Sequence, residues 1–596
     1  MTRSPTATAP PSVPAATGIW GRQLDRFPGT AARTRYLAIT IAATVVLYYQ
    51  LYAQGTVATK VIADLGMSLT YFIVIQIVGG AIGAIGSLAA GLADRWGRAN
   101  LVVYGLVIVS LLMLFAVPEV GGATSYLMLF ALISGVEGVV LVATPALIRD
   151  FSPQLGRASA MGFWTLGPVL GSLLATAISS STLDEHPRWQ FQFQVAGIIG
   201  WIVFVAAFIW LRELAPALRD QLMVSLRDRA LLEARARDLD PESVLRGHWH
   251  QMLHARIVLP AMAISSYLLF YYLAVGFFVL FYVTTYGYSE ARANALANWY
   301  WIANALTLVI FGALSDLIRV RKPFMLIGGV ISAIGVGWFA VATAAGDTGY
   351  YRFAMIILVI AFGSGMTFAT WMAAFTETVE ARNPAATATG LAVWGASVRI
   401  AVVLGFTGLI FLIPAANVLV ESGHRVTELA TRYQPELATL QRLSPAVKAE
   451  LSMKPEDPAV QAEALGQIAN LPTGDVGRVI TLQRQQNSPG LTESDQRFLQ
   501  QNGGRVTDAV TALRAASAVP ADDLAYLTVH ASEVRTAAHD SPGQWGRLWW
   551  LCFAAQVLFL PSIWLLTGRW SPAAARSDAE RHRAAVDAEL HSAGTR

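Results

Sequence analysis

Two ionisable side chains lie deep inside long apolar runs of this 596-residue chain. Glu137 stands in Ser134-Gly135-Val136-Glu137-Gly138, and Arg399 in Trp394-Gly395-Ala396-Ser397-Val398-Arg399. At the centre of a bilayer a charge costs at least about 2.5–3.5 kcal/mol, so each needs a partner or a watery cavity. Burial disfavours the charged form of a carboxyl and a nearby cation favours it, which lets such an acid load and release protons. Glu137 is therefore expected to couple protons or bind substrate, with Arg399 as its counter-charge or as the anchor for an anionic group. The alternative is a fixed Glu137–Arg399 ion pair, or separately hydrogen-bonded groups, that only stabilise packing. Ser134, Glu137, Leu141 and Thr144 recur at helical spacing and give this run one partly polar face.

Other chemistry is sparse. Cys552 is the single cysteine, which excludes a disulfide scaffold and a multi-cysteine metal site. His250 and His254 have i,i+4 ligand spacing beside His248, but without a third ligand they read as part of a surface helix. No phosphate-binding G-x-x-x-x-G-K-[ST] loop occurs, and no nucleophile–base constellation, so neither ATP-driven export nor an enzyme is expected, and no cofactor or metal. Tyr and Trp side chains with a few amides crowd several apolar runs, among them Tyr48, Tyr49, Gln50, Tyr52, Tyr271, Tyr272, Trp301, Asn304 and Trp371. Such walls suit an organic solute better than a bare inorganic ion, although the same residues also populate interfacial belts.

The elements that must position these groups follow from composition. Hydrophobic residues make up 55% of the chain and charged ones only 14%, against about 25% in soluble domains, and mean hydropathy is +0.48. That pattern predicts an all-α polytopic membrane protein. Twelve stretches are long enough to span about 30 Å of hydrocarbon: 36–57, 69–93, 99–118, 124–147, 157–180, 191–211, 258–285, 293–314, 324–345, 352–377, 387–415 and 546–568. Basic residues gather in alternate short loops (Arg95, Arg98, Arg149, Arg157, Arg319, Arg321, Lys322, Arg382) and at both ends, which predicts a cell-membrane protein with both termini cytoplasmic. The net charge of +4 records this sidedness and does not suggest nucleic acid.

The expected layout is a cytoplasmic tail (1–35), a six-helix half (36–211), a cytoplasmic helical linker (212–257), spans seven to eleven (258–415), an extracytoplasmic insertion (416–543), span twelve (544–568) and a cytoplasmic tail (569–596). The insertion holds eleven Lys/Arg against fifteen Asp/Glu. Helix starts at Ser444-Pro445, Asp457-Pro458 and Thr492-Glu493-Ser494-Asp495 predict a small all-helical domain, which could receive a protein or lipid-linked partner.

One motif appears twice. Ala90-Gly91-Leu92-Ala93-Asp94-Arg95-Trp96-Gly97-Arg98 lies between spans two and three, and Gly312-Ala313-Leu314-Ser315-Asp316 through Arg319, Arg321 and Lys322 between spans eight and nine. Arg149-Asp150 after span four is echoed by Glu380-Ala381-Arg382 after span ten, so the halves are duplicated. The motif resembles the G-x-L-a-D-r-x-G-R signature of the major facilitator superfamily, with Ala90 in place of the usual first Gly and Val320 where the second copy should keep its later Gly. The resemblance covers about 36–415 and 546–568. It implies two six-helix bundles, a central path lined by spans one, four, seven and ten, and thus Tyr49, Gln50, Tyr271 and Trp371 as cavity candidates, with Asn304 beside them. It also implies cytoplasmic latches: Asp94 and Arg98 with Asp150, and Asp316 with Arg319 or Arg321 meeting Glu377 or Glu380. Gly162 to Ser172 in span five partly resembles the Gly-Pro motif of drug–proton antiporters, but small residues also serve close helix packing. The implied activity is secondary transport of a small organic solute, slightly in favour of an anionic metabolite, coupled to protons. The alternatives are efflux or flipping of an amphipathic molecule and a non-transporting sensor or scaffold.

Overall fold

The computed structural model describes residues 21–88, 96–152, 164–215, 248–383, 387–485 and 491–574, with a few isolated positions besides. The first half comprises α1 (Thr30–Thr56), α2 (Ala58–Asp64), α3 (Leu69–Leu88), α4 (Arg98–Leu111), α5 (Ala123–Phe151), α6 (Gly167–Thr182) and α7 (Trp189–Trp210). The second comprises α8 (His248–Met252), α9 (Ala255–Tyr267), α10 (Leu269–Tyr286), α11 (Glu290–Ile318), α12 (Lys322–Ala344), α13 (Tyr350–Arg382), α14 (Thr387–Leu412) and α15 (Pro414–Val418). Among the described residues, eleven helical stretches are long and apolar enough to cross a membrane. The expected fifth span is described only as the 16-residue α6, because residues 153–163 before it lie outside the described set.

Local chemistry sets the boundaries. Ser289 caps α11 by accepting a hydrogen bond from the Arg292 N–H, and Glu290 in the first turn complements the helix dipole. Gly287 ends α10 in the left-handed region. The first apolar run ends at Val57 (φ −131°, ψ 21°), at the expected end of span one, and the short α2 follows it, whereas the seventh breaks at Leu268, so the expected continuous span 258–285 is two helices.

A two-stranded parallel ladder, not foreseen, joins β1 (Gln23–Leu24) to β2 (Glu213–Leu214). It brings the N-terminal segment beside the end of α7. Near the other terminus, the Thr567 N–H donates to Thr378 Oγ1 at the end of α13. Both terminal segments therefore lie on one face, here the terminal face; the opposite one is the distal face. In the first half α1 packs on α6 and α7, and α3 on α5; in the second α13 packs on α11 and α12. Gly167 and Gly171 leave no room for a Cβ beside Thr44 and Tyr48, so the glycines of the Gly162–Ser172 stretch that are described serve close packing of α6 on α1. The second half is filled by aromatic rings, with Phe270, Phe278, Phe281, Phe339 and Trp549 in mutual contact.

Residues Glu421–His539 form a separate compact unit. Its helices are α16 (His424–Arg432), α17 (Gln434–Arg442), α18 (Pro445–Met453), α19 (Pro458–Ala469), α20 (Thr473–Arg484) and α21 (Glu493–Ser517), followed by α22 (Ala521–Phe559). Ser444, Asp457 and Thr492 cap α18, α19 and α21 through hydrogen bonds from the backbone N–H groups of Val447, Ala459 and Asp495. Leu443, Val447, Ala464, Ile468, Val476, Val479, Val506 and Ala509 form its core. The start of span twelve differs from the expected 544–546: α22 begins at Ala521 and contains Pro542. Polar residues before 545 mark the end of the apolar run, but they do not end a helix.

Candidate functional site

The side chain of Glu137 is carried on α5 and is 1% exposed. Neither of its carboxyl oxygens has a hydrogen-bond partner among the described residues. Arg399, on α14 of the other half, is exposed, and its Nη2 donates to Ser87 Oγ of α3 at 2.8 Å. Ser87 in turn donates to the Gly83 carbonyl and, at 3.3 Å, to the carbonyl of Gly138, the residue after Glu137. The fixed Glu137–Arg399 ion pair is therefore not formed; the arginine is held one helix away, on the helix against which α5 packs. Tyr48 lies within electrostatic reach of both charges.

The tyrosines nearest the two charges are neighbours of the expected ones. Tyr48, Tyr52 and Tyr272 are half-buried and close enough to influence one another, and Tyr271 joins them. Tyr48 and Tyr52 are one turn apart, their rings 5.6 Å from each other. Tyr271 meets Tyr272 and Trp301 edge-on at 5.1 and 5.4 Å. Tyr49 is fully buried, its hydroxyl without a partner among the described residues. Gln50 turns into its own half, donating to Ser110 Oγ and the Ala196 carbonyl, both at 3.2 Å. A helix rotates by about 100° per residue, so Tyr48 and Tyr52 share a face that Gln50 cannot share. Trp371 is fully buried, stacked on Phe375 at 4.7 Å and close to Trp394. Asn304 donates to the Ala361 carbonyl and ties α11 to α13. Gln50, Trp371 and Asn304 thus belong to helix packing, and Tyr271 packs among Tyr52, Tyr272 and Trp301.

On the terminal face, Arg98 Nη1 donates to both oxygens of Asp150 at 2.8 and 2.6 Å. Asp94 and Arg95 lie outside the described residues. Glu213, which reads in sequence as the start of the linker, accepts from the Arg98 N–H at 2.7 Å and places a carboxylate at the N-terminus of α4. Gly97 sits at φ 90°, and an added Cβ would overlap the Glu213 carboxylate. Arg22 donates to the Phe208 carbonyl at 2.6 Å and covers the Phe208 ring. Burial and then the charge of Arg212 push its guanidinium below its ordinary pKa.

In the second half Arg321, and not Arg319, supplies the cation. It pairs with Asp316 at 2.5 Å and with Glu377 at 3.1 Å, and donates to Ser315 Oγ. Arg319 ends α11 in the left-handed region at φ 61°. Glu380 lies three residues beyond Glu377 on α13.

A third set of polar contacts, unforeseen in sequence, joins the halves on the distal side. Glu290 meets Thr59 at 3.0 Å and Lys60 at 3.7 Å. Asn294 donates to the Thr56 carbonyl at 2.9 Å. Asn298 accepts from Thr176 at 2.6 Å and donates to Ser180 at 3.0 Å. The i, i+4, i+8 spacing of Glu290, Asn294 and Asn298 was the available signal.

A family model described as Major Facilitator Superfamily matches residues 40–406. Among curated proteins, the chain is similar to "Efflux pump radE" of Floropilus chiversii, 24% identical over 233 residues, which is 37% of this chain and 42% of that protein. It is also similar to "Efflux pump vrtL" of Penicillium aethiopicum, 26% identical over 248 residues, 37% of this chain and 48% of that protein. The chain spans less than half the length of these curated relatives. Among solved structures, a bacterial homologue of the human lysosomal transporter Spinster in an inward-facing, unoccupied conformation has a TM-score of 0.49 at 14% identity, covering 91% of this chain and 100% of that one. A D-xylose–proton symporter has a TM-score of 0.48 at 16% identity, over 63% and 88% respectively.

Proposed function

Because this chain belongs to the major facilitator superfamily, whose model matches residues 40–406, we propose that it is a proton-coupled secondary transporter of a small organic solute, working by alternating access. The observation that carries the proton part is Glu137: a buried carboxyl whose oxygens have no partner among the described residues, beside an interface between two halves. An unpaired carboxylate there is costly, so loss of its proton favours any arrangement that brings a cation to it. Arg399 is the cation at hand, held on Ser87 by a single charge-assisted bond. Proton loss from Glu137 draws Arg399 off Ser87; proton binding returns it. Since the two residues belong to different halves, protonation biases how the halves meet.

Tyr48, Tyr52, Tyr271 and Tyr272 support an organic solute with an aromatic or amphipathic body, and exposed Arg399 supports an anionic group on it. Export of an amphipathic compound is the second reading, favoured by the two relatives named as efflux pumps. In this proposal the chain sits in the cell membrane with its terminal face cytoplasmic, and the Glu421–His539 unit is extracytoplasmic, available to a protein or lipid-linked partner. The test is flux of aromatic carboxylates and neutral amphipathic compounds in proteoliposomes carrying an imposed pH gradient. Gradient-driven accumulation or extrusion is expected. Flux of every solute indifferent to the gradient would reduce the protein to a facilitator.

A further inference from the structure

Alternating access requires contacts that hold one face shut and then release as a set; the following inference rests on that reading of the protein. On the distal side a single stripe of α11 (Glu290, Asn294, Asn298) reaches across to three elements of the other half: α2 through Thr59 and Lys60, the end of α1 through Thr56, and α6 through Thr176 and Ser180. The break at Val57 prepares this. Ending α1 at Thr56 frees a carbonyl that an uninterrupted helix would bond internally, and Asn294 of the other half takes it. Thr56 is also fixed within its own half, since Ser179 donates to its hydroxyl at 2.8 Å and Ser179 bonds Gln192. One residue earlier, Gly55 lets α1 touch α10 of the second half: a Cβ there would lie 2.5 Å from the Val275 carbonyl oxygen.

We propose that the Glu290–Asn294–Asn298 stripe, seated on the broken end of α1, is the distal lock of this transporter, with Gly55 as its steric permit. The asparagines grip only when Gly55 allows α1 and α10 to meet. They are neutral, so their grip does not depend on the protonation of Glu137, and the lock closes on shape and hydrogen bonds.

The experiment measures the distance between spin labels at Asp184 and Asp347, exposed positions of the distal loops of the two halves, by double electron–electron resonance on the full chain in a Cys552→Ala background. It needs no substrate, so it reads the lock even if flux is never found. Asn294→Ala with Asn298→Ala should raise the population of the longer distance, by roughly two- to tenfold for each hydrogen bond removed. Gly55→Ala leaves every polar group in place and should shift the same population in the same direction. Thr59→Val with Lys60→Met, milder changes at a half-buried pair, should give a smaller shift of the same sign. Distance distributions that stay at the unmodified protein's in the folded variants would overturn the proposal, as would a shift in the polar variants without one in Gly55→Ala.

Discussion

Arg399 carries two loads in this account, a counter-charge for Glu137 and an anchor for an anionic solute, and the two are separable. Replacing it by Ala should raise the KM for anionic solutes roughly tenfold or more, the value of a charged hydrogen bond, and leave neutral amphipathic solutes much less affected; a uniform loss across solutes would assign it to structure alone. A second residue-scale prediction concerns Asp495 in the separate unit. A hydrogen bond from Thr492 and the pairing with Arg478 hold its carboxyl below its ordinary pKa of 3.8. A depressed folded-state pKa stabilises the fold above the ordinary value, and the contribution disappears as pH falls through the lower folded one. Hydrogen-exchange protection at the start of α21 should therefore weaken on acidification below about pH 4, and Asp495→Asn should remove that part of the pH dependence. At this scale the sequence exposed charges better than directions. Glu137, Arg399, Arg98 and Asp150 stand out because a charge in or beside apolar sequence is conspicuous. Tyr48 and Tyr52, and not Tyr49 and Gln50, share the face toward Tyr271 and Tyr272, a rotation the residue types do not reveal because Thr44, Gln50 and Gln54 put polar groups on other faces of α1 as well.

Two elements show how short polar segments set helix ends on the terminal face. Glu213 leaves α7, forms β2 against Gln23–Leu24, and caps α4 from outside. That arrangement needs a glycine before Arg98, both for φ 90° and for space. Gly97→Ala should cost about 1–3 kcal/mol, the range for a strained backbone position, read as a lower melting temperature of the detergent-solubilised protein. A double-mutant cycle of Arg98→Ala and Asp150→Asn should give a coupling of about 1–3 kcal/mol, because Nη1 reaches both carboxylate oxygens and the pair is largely shielded. Additive single effects would show that the two residues do not act together. Helix existence was legible throughout, since apolar runs of this length have few other structures in a membrane. Breaks inside a span were not: nothing in the residues around Leu268 distinguishes an interrupted helix from a continuous one, and α22 starts well before the apolar run because polarity marks the membrane boundary and not the end of hydrogen bonding.

For the whole molecule, two halves of like design meet through a small number of polar contacts. Glu290, Asn294 and Asn298 bind the halves distally, while Arg399 on Ser87 spans them beside Glu137. Asp94 and Arg95, expected in a terminal latch, lie outside the described residues, so that latch is represented by Arg98–Asp150 within one half and Arg321–Asp316–Glu377 within the other. The resemblance in the repeated loops indicated the fold, and the family match bears it out. The Glu421–His539 unit falls beyond that match and has its own helical core. The central claim is that Glu137 links protons to the movement of solute. Its most direct measurement compares wild type with Glu137→Gln in proteoliposomes, once with an imposed pH gradient and once as solute exchange at equal pH. The account predicts that the variant loses gradient-driven flux and keeps exchange. Gradient-driven flux equal to that of the wild type would contradict it.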